Sequence, residues 1–183
     1  MTYLIRHAES EGNAGGKTII VKEIPLSEKG IRQSIDLLQR IPEKPDLIVV
    51  SPYLRTQQTA LPLMKMYPDV PVEIWNVHEF TYLDADRCDG TTQAERKIIV
   101  EEYLAKNDPY FIHGRGAESF NQLLQRVDNM FDKLKKIDAT QFVVIFTHEQ
   151  FIRAALARKN KNTVTFDDIF NGKIINNTYI IDL

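Results

Sequence analysis

Two histidines that end apolar runs are the residues in this sequence best suited to chemistry. Tyr3-Leu4-Ile5 runs into Arg6-His7, and Phe142-Val143-Val144-Ile145-Phe146-Thr147 runs into His148. A neutral imidazole is a competent nucleophile near neutral pH. The arginine beside it carries a fork that fits phosphate oxygens two at a time. A nucleophile next to an anion holder is what phosphoryl transfer requires. The small Ala8 after His7 leaves room for a ligand. In Ser51-Pro52-Tyr53-Leu54-Arg55, Arg55 sits early in a helix that follows another apolar run, so its side chain can fold back toward Arg6. His148 stands where a helix begins, and backbone N–H groups and the helix dipole favour an anion there. Glu149, next in the chain, is awkward beside a phosphate. Its side chain is expected to point away or to orient a cation. Arg153, a turn further on, reads as an ion-pair partner.

The elements that must position these groups are legible as alternating runs. Tyr3–Arg6, Leu47–Ser51, Phe142–Thr147 and Tyr179–Leu183 read as strands, with Val72–Trp75 as a shorter one. The central two are unbroken Val/Ile/Phe runs, the pattern of strands buried on both faces of a parallel sheet. Between them lie helical patterns. Ser27 caps a helix that Pro42 stops at about Ile41. Tyr53 to Tyr67 is a second helix, with Pro62 uncomfortably inside it. Thr92–Lys106, Glu118–Lys136 and Glu149–Arg158 follow. The stripe Phe120, Leu123, Leu124, Val127, Phe131, Leu134 is a core face. Strands alternating with helices predict one α/β domain over residues 1–183, a three-layer α/β/α sandwich with a mostly parallel sheet. Residues 80–116, punctuated by Gly90, Pro109, Gly114 and Gly116, read as a lid-like helical insertion. Ligands of such sheets sit beyond the carboxyl ends of the strands. His7, Ser51–Arg55, Glu79 and His148 all fall there.

Composition narrows the partners. The chain has 183 residues, 43% hydrophobic and 26% charged, with a net charge of −2 spread along its length. That balance argues against nucleic acid or a membrane surface as a main partner. No apolar run is long enough to span a bilayer, and Arg6 and His7 stand where a secretory leader would need apolar residues. Cys88 is the only cysteine, which excludes an intrachain disulfide and fits a reducing cytoplasm. Asn176-Asn177-Thr178 matches a glycosylation triplet but reads more simply as a turn into the last strand.

Leu4-Ile5-Arg6-His7-Ala8-Glu9-Ser10, Ser51-Pro52-Tyr53-Leu54-Arg55-Thr56-Gln57-Gln58-Thr59-Ala60, His78-Glu79-Phe80 and Thr147-His148 together resemble the histidine phosphatase superfamily, also called the phosphoglycerate-mutase-like family. Pro25-Leu26-Ser27-Glu28-Lys29-Gly30 resembles the family's entry to its first long helix, and Gly116-Ala117-Glu118-Ser119-Phe120 its Gly-Glu-Ser helix start. The order and spacing hold along the whole chain. The resemblance implies a covalent phosphohistidine mechanism. His7 matches the nucleophile, Arg6, Arg55 and His148 the phosphate pocket, and Glu79 the general acid. Asn13 matches a position that touches phosphate in many members, and Ser119 one at the site's edge. Ala8 replaces the glycine of the family's Arg-His-Gly triplet, and Glu149 replaces the usual glycine after the second histidine.

The reading is therefore a phosphatase that hydrolyses a phosphomonoester, a small phosphorylated metabolite, without a metal or cofactor. Phosphoryl transfer spreads negative charge over equatorial oxygens, which two arginines and a protonated His148 can balance. A mutase-type phosphotransferase is an alternative, weakened because the glycolytic mutases' tryptophan loop is absent between Gly12 and Pro25. A phosphate-recognising protein with little catalysis is another, kept because of Glu149. Tyr82, Arg87, Arg96, Tyr103, Tyr110, His113 and Arg115 are candidate substrate grips in the insertion. Taken singly, each is better read as solvating a lid. Gly15-Gly16-Lys17-Thr18 lacks the first glycine of a P-loop and runs on into an extended-looking Ile19-Ile20-Val21. Asp84–Gly90 has Cys88 at a ligand position of a calcium loop, and no helix pattern precedes it.

Overall fold

The computed structural model describes residues 1–17 and 20–183. Thr18 and Ile19, in the run dismissed as a P-loop, lie outside the described residues. Ile20 is extended, and Val21–Glu23 form a 3-10 turn rather than continuing that extension.

Five strands form one sheet: β1 (Thr2–Arg6), β2 (Leu47–Val50), β3 (Val72–Ile74), β4 (Val143–Thr147) and β5 (Ile180–Asp182). Their spatial order is β3-β2-β4-β1-β5. The first four are mutually parallel, and β5 runs antiparallel to β1 at the edge. The helices are α1 (Glu28–Asp36), α2 (Leu54–Met66), α3 (Ala85–Cys88), α4 (Lys97–Lys106), α5 (Phe120–Leu134), α6 (Glu149–Asn160) and α7 (Phe166–Phe170).

Alternate side chains of the buried strands feed two cores. Leu4, Leu47, Val49, Val143 and Ile145 face one way, onto α5 and α6 through Leu123, Val127, Met130, Phe151 and Ile152. Ile5, Ile48, Val50, Val144 and Phe146 face the other way, onto Leu37, Ala60 and Leu63. Burying one such side chain is worth roughly 1.5–3 kcal/mol, so both faces of the sheet are strongly covered. The architecture is a three-layer α/β/α sandwich.

Several boundaries differ from the sequence reading, for local reasons. After α1 the chain tightens into a 3-10 turn, Leu37–Arg40, before Pro42. Thr92 begins not a helix but a turn, where its hydroxyl and backbone N–H both bond to Glu95, and α4 starts only at Lys97. Helices α3 and α7 are four and five residues long, too short to show a period, and each is capped by a side chain, Asp84 and Thr165. Pro62 is accommodated inside α2.

Residues 80–116 carry α3 and α4 and are stitched at their base. Glu118 N–H donates to Thr81 O (2.8 Å), and Ala85 N–H to Arg115 O (2.9 Å). Phe80, Tyr82, Tyr103, Phe111, Phe166 and Phe170 form one aromatic cluster that joins this segment to α7 and the core.

Candidate active site

The β1–β4 register builds the site. Arg6 pairs with Thr147, so His7 and His148 are the next residues along two adjacent parallel strands. His7 N–H donates to Thr147 O at 3.0 Å, which fixes that step. On the other side of β4, Val50 pairs with Phe146 and Ser51 N–H donates to Phe146 O at 3.1 Å. Ser51 therefore stands opposite Thr147, one step short of His148, and reaches that ring through its hydroxyl, while His7 stands directly beside it on β1. The two imidazole centroids are 5.0 Å apart, tilted by 59° rather than stacked.

The hydrogen bonds assign each ring its protons. His7 Nδ1 lies 2.7 Å from Ala8 O, which can only accept. Nδ1 thus carries the proton, and Nε2 keeps its lone pair. Arg55 Nε donates to that Nε2 at 3.2 Å. His148 Nδ1 lies 3.2 Å from Arg55 Nη2, which can only donate, so Nδ1 accepts. His148 Nε2–H then donates to Ser51 Oγ at 2.8 Å. Arg55 lies between the two rings, its Nη1 held by Val21 O at 2.8 Å and its guanidinium 4.9 Å from the Tyr53 centroid.

Burial dominates the electrostatics. His7 and His148 are buried, and both pKa values fall well below the ordinary histidine value, first through desolvation and then through the charge of Arg55. Burial also brings Arg55 down to about 10, which leaves it charged at neutral pH. Glu79 keeps part of its surface open, yet the protein around it pushes its pKa up, against the pull of Arg55 and Arg6. Its Oε1 accepts from Phe80 N–H (3.1 Å) and Gln150 N–H (3.0 Å), so Oε2 is the oxygen left to hold a proton.

Arg6 points its Nη1 at Glu149 Oε2 (2.8 Å) and at Ile175 O. Glu149 Oε1 in turn takes Arg153 Nη2 (2.6 Å) and Ile175 N–H (3.2 Å). The carboxylate thus lies on two cations. Asn13 is exposed, and its Oδ1 closes the Ser10 turn at 3.0 Å from Ser10 Oγ. It reaches the site through Asn177, whose amide bonds Asn13 Oδ1 (3.4 Å) and His7 O (2.9 Å). Ser119 is a helix cap: its hydroxyl accepts from Gln122 N–H at 3.2 Å, and Gln122 Oε1 accepts from Ser119 N–H. Its hydroxyl serves α5.

The basic and aromatic residues of the insertion mostly brace one another. Arg87 pairs with Glu102 and His113, Arg115 with Asp86, and Arg96 with Thr91, while Tyr103 is buried in the aromatic cluster. Tyr110 is exposed.

Sequence reasoning assigned no role to several residues that hold the site. Thr59 Oγ accepts from Ala8 N–H (3.0 Å) and donates to Arg55 O (2.6 Å), tying the loop after His7 to α2. Tyr53 stacks on His78 (5.4 Å, 4°) and meets His148 edge-on. Glu118 and Arg126 form a two-pronged pair, and Arg126 also donates to Asn76 O and His78 O. That pair fixes the segment that carries Glu79. Short polar residues that bond to main chain give no period to read, so only their closeness to the histidines marked them.

Residues 2–178 match the model of the histidine phosphatase superfamily, branch 1. The chain belongs to that superfamily. Phosphoserine phosphatase 1 of Hydrogenobacter thermophilus is 29% identical over 161 residues, covering 82% of this chain and 72% of that protein. The fructose-2,6-bisphosphatase of Saccharomyces cerevisiae is 32% identical over 163 residues, covering 85% of this chain but only 33% of that longer protein. A phosphoserine phosphatase mutant of Entamoeba histolytica, solved with phosphoserine, shares the fold with a TM-score of 0.75 at 24% identity, over 98% of this chain and 89% of that one. In this histidine phosphatase no described helix is long and apolar enough to cross a membrane.

Proposed function

We propose that this histidine phosphatase hydrolyses a small phosphorylated metabolite through a phosphohistidine on His7, with no metal in the step. The observation that carries the reading is the unprotonated Nε2 of His7, which accepts from Arg55 Nε, in a ring whose centroid lies 5.0 Å from that of the second imidazole. In the first step Nε2 attacks phosphorus and the bond to the ester oxygen breaks, while Glu79 gives that oxygen its proton. In the second step water attacks phosphorus, Glu79 takes a proton back, and the P–N bond breaks. Arg6, Arg55 and a His148 protonated at Nδ1 balance the charge on the transferring group. For this Arg55 must leave the two ring nitrogens it bridges and turn to the anion. The upward push that burial gives the Glu79 carboxyl is in the direction a general acid needs. Residues 80–116 act as the lid, and the phosphoserine phosphatase and fructose-2,6-bisphosphatase relatives support a small leaving group. The lone, buried Cys88 fits a reducing cytoplasm.

Incubating the protein with an aryl phosphate and quenching at once tests this. An acid-labile, base-stable phosphoenzyme is expected in the wild type, with turnover that continues in excess chelator. His7→Ala is expected to lose both the phosphoenzyme and the turnover. Full activity in that variant would defeat the mechanism.

A further inference from the structure

Glu149 stands where the superfamily pattern described above has a glycine, on the first turn of α6, one residue beyond the second histidine. It does not lie idle. Its two oxygens gather Arg6 Nη1, Arg153 Nη2 and Ile175 N–H at 2.8, 2.6 and 3.2 Å. Arg153 is anchored again, by donating to Lys173 O (3.1 Å) and Ile169 O (2.7 Å). The carboxylate is therefore held through Oε1 by Arg153 and the Ile175 backbone, which leaves Oε2 to Arg6.

The effect on Arg6 follows from counting its protons. Nη1 has two, and Glu149 Oε2 and Ile175 O are placed to take both. The guanidinium is thereby pinned by one corner. What remains is its other fork, built on Nε. Arg6 Nε–H is buried and has no acceptor among the described residues. A buried donor left open is costly, and an oxygen of a bound phosphoryl group would satisfy it. Charge does not forbid this, because two guanidiniums against one carboxylate leave the trio net positive.

We propose that Glu149 is a positioning residue: it grips Arg6 by Nη1 so that the Nε edge faces the anion. The inference rests on the phosphatase reading, and it assigns the departure from glycine a task rather than a penalty. A slack Arg6 would still attract phosphate, but it would meet the equatorial oxygens of the transition state out of line. Misplacement by about 1 Å can cost on the order of 100-fold.

Two substitutions separate position from charge. Glu149→Gln keeps the shape and loses the charge, whereas Glu149→Asp keeps the charge and loses the reach. Both are expected to lower kcat/KM for an aryl phosphate by roughly 10- to 100-fold, mostly in kcat. Both should weaken inhibition by vanadate more than inhibition by inorganic phosphate, with thermal unfolding near that of the wild type. In an Arg6→Lys background, read by kcat/KM and by vanadate titration, adding Glu149→Gln should change little, because lysine has no edge to orient. The proposal is overturned if either single variant stays within about two-fold of wild type, if Glu149→Gln binds phosphate more tightly, or if the loss is equal in both backgrounds. Failure of the phosphatase reading looks different: the wild type itself would neither turn over nor form a phosphoenzyme.

Discussion

In the proposed mechanism Glu79 and His7 carry opposite proton demands, and their surroundings push each in the direction that role needs. Enclosure raises the carboxyl of Glu79 and lowers the imidazole of His7, so a protonated acid and a neutral nucleophile coexist over a wider span of pH than free side chains allow. The sign is definite for kcat/KM, which reports the free enzyme. Activity falls on the acid side as His7 gains a proton, below the usual histidine range. It falls on the alkaline side as Glu79 loses one, above the usual carboxylate range. Glu79→Gln should therefore abolish the alkaline limb on an alkyl phosphate and slow turnover by about 100- to 10,000-fold, with a smaller loss on an aryl phosphate whose leaving group needs no proton. A pH–rate series on both substrates checks this. The two histidines and two arginines were legible because each ends or follows an apolar run. The proton assignments were not, since they depend on Ala8 O, Ser51 Oγ and Arg55 lying at particular atoms of the rings. Ser119, which the family resemblance put at the site's edge, also caps α5, because a serine before a hydrophobic stripe with Gln122 three residues on makes a capping box.

Among the elements, α1 is held at close quarters. A Cβ at Gly30 would sit far inside van der Waals contact with the Glu9 carbonyl, and Ser27 N–H bonds that same carbonyl at 3.0 Å. The helix thus butts directly against the loop that leaves His7. Glycine to alanine within a helix ordinarily gains about 1 kcal/mol. Here Gly30→Ala should do the reverse, lowering the unfolding free energy by about 1–3 kcal/mol through overpacking and cutting activity, as chemical denaturation and aryl phosphate assays would report. The two central strands were readable from unbroken Val/Ile/Phe runs, and the amphipathic stripe gave α5 to within two residues at each end. The antiparallel direction of β5 could not be read, since its three residues carry no mark of orientation. Helices α3 and α7 escaped for want of length. Asn177 escaped because a turn asparagine looks the same whether or not it reaches His7 O.

At the scale of the molecule, burying two neutral imidazoles makes stability depend on pH. Their folded pKa values lie below the unfolded value, so the unfolded chain binds more protons as pH falls under about 6.5, and the native state loses ground. Each contributes up to about 1.4 kcal/mol per pH unit. Glu79 works in the opposite sense, since its raised pKa makes stability fall as pH rises from the ordinary carboxylate value toward the raised one. Between pH 6.5 and 5.5 the unfolding free energy should drop by about 1–2 kcal/mol. Saturating inorganic phosphate should flatten that slope, because a bound anion favours the protonated rings, and urea titrations at the two pH values would show it. The sheet order adds a temporal consequence. β4 is the middle strand, seated between β2 and β1, and it is made after both. During ribosomal synthesis His7 emerges well before its partner imidazole, and the strand that aligns the two comes only just ahead of His148. On the proposed mechanism, a growing polypeptide stays silent toward phosphoesters until His148 has emerged, and competence arrives with the closing of the sheet.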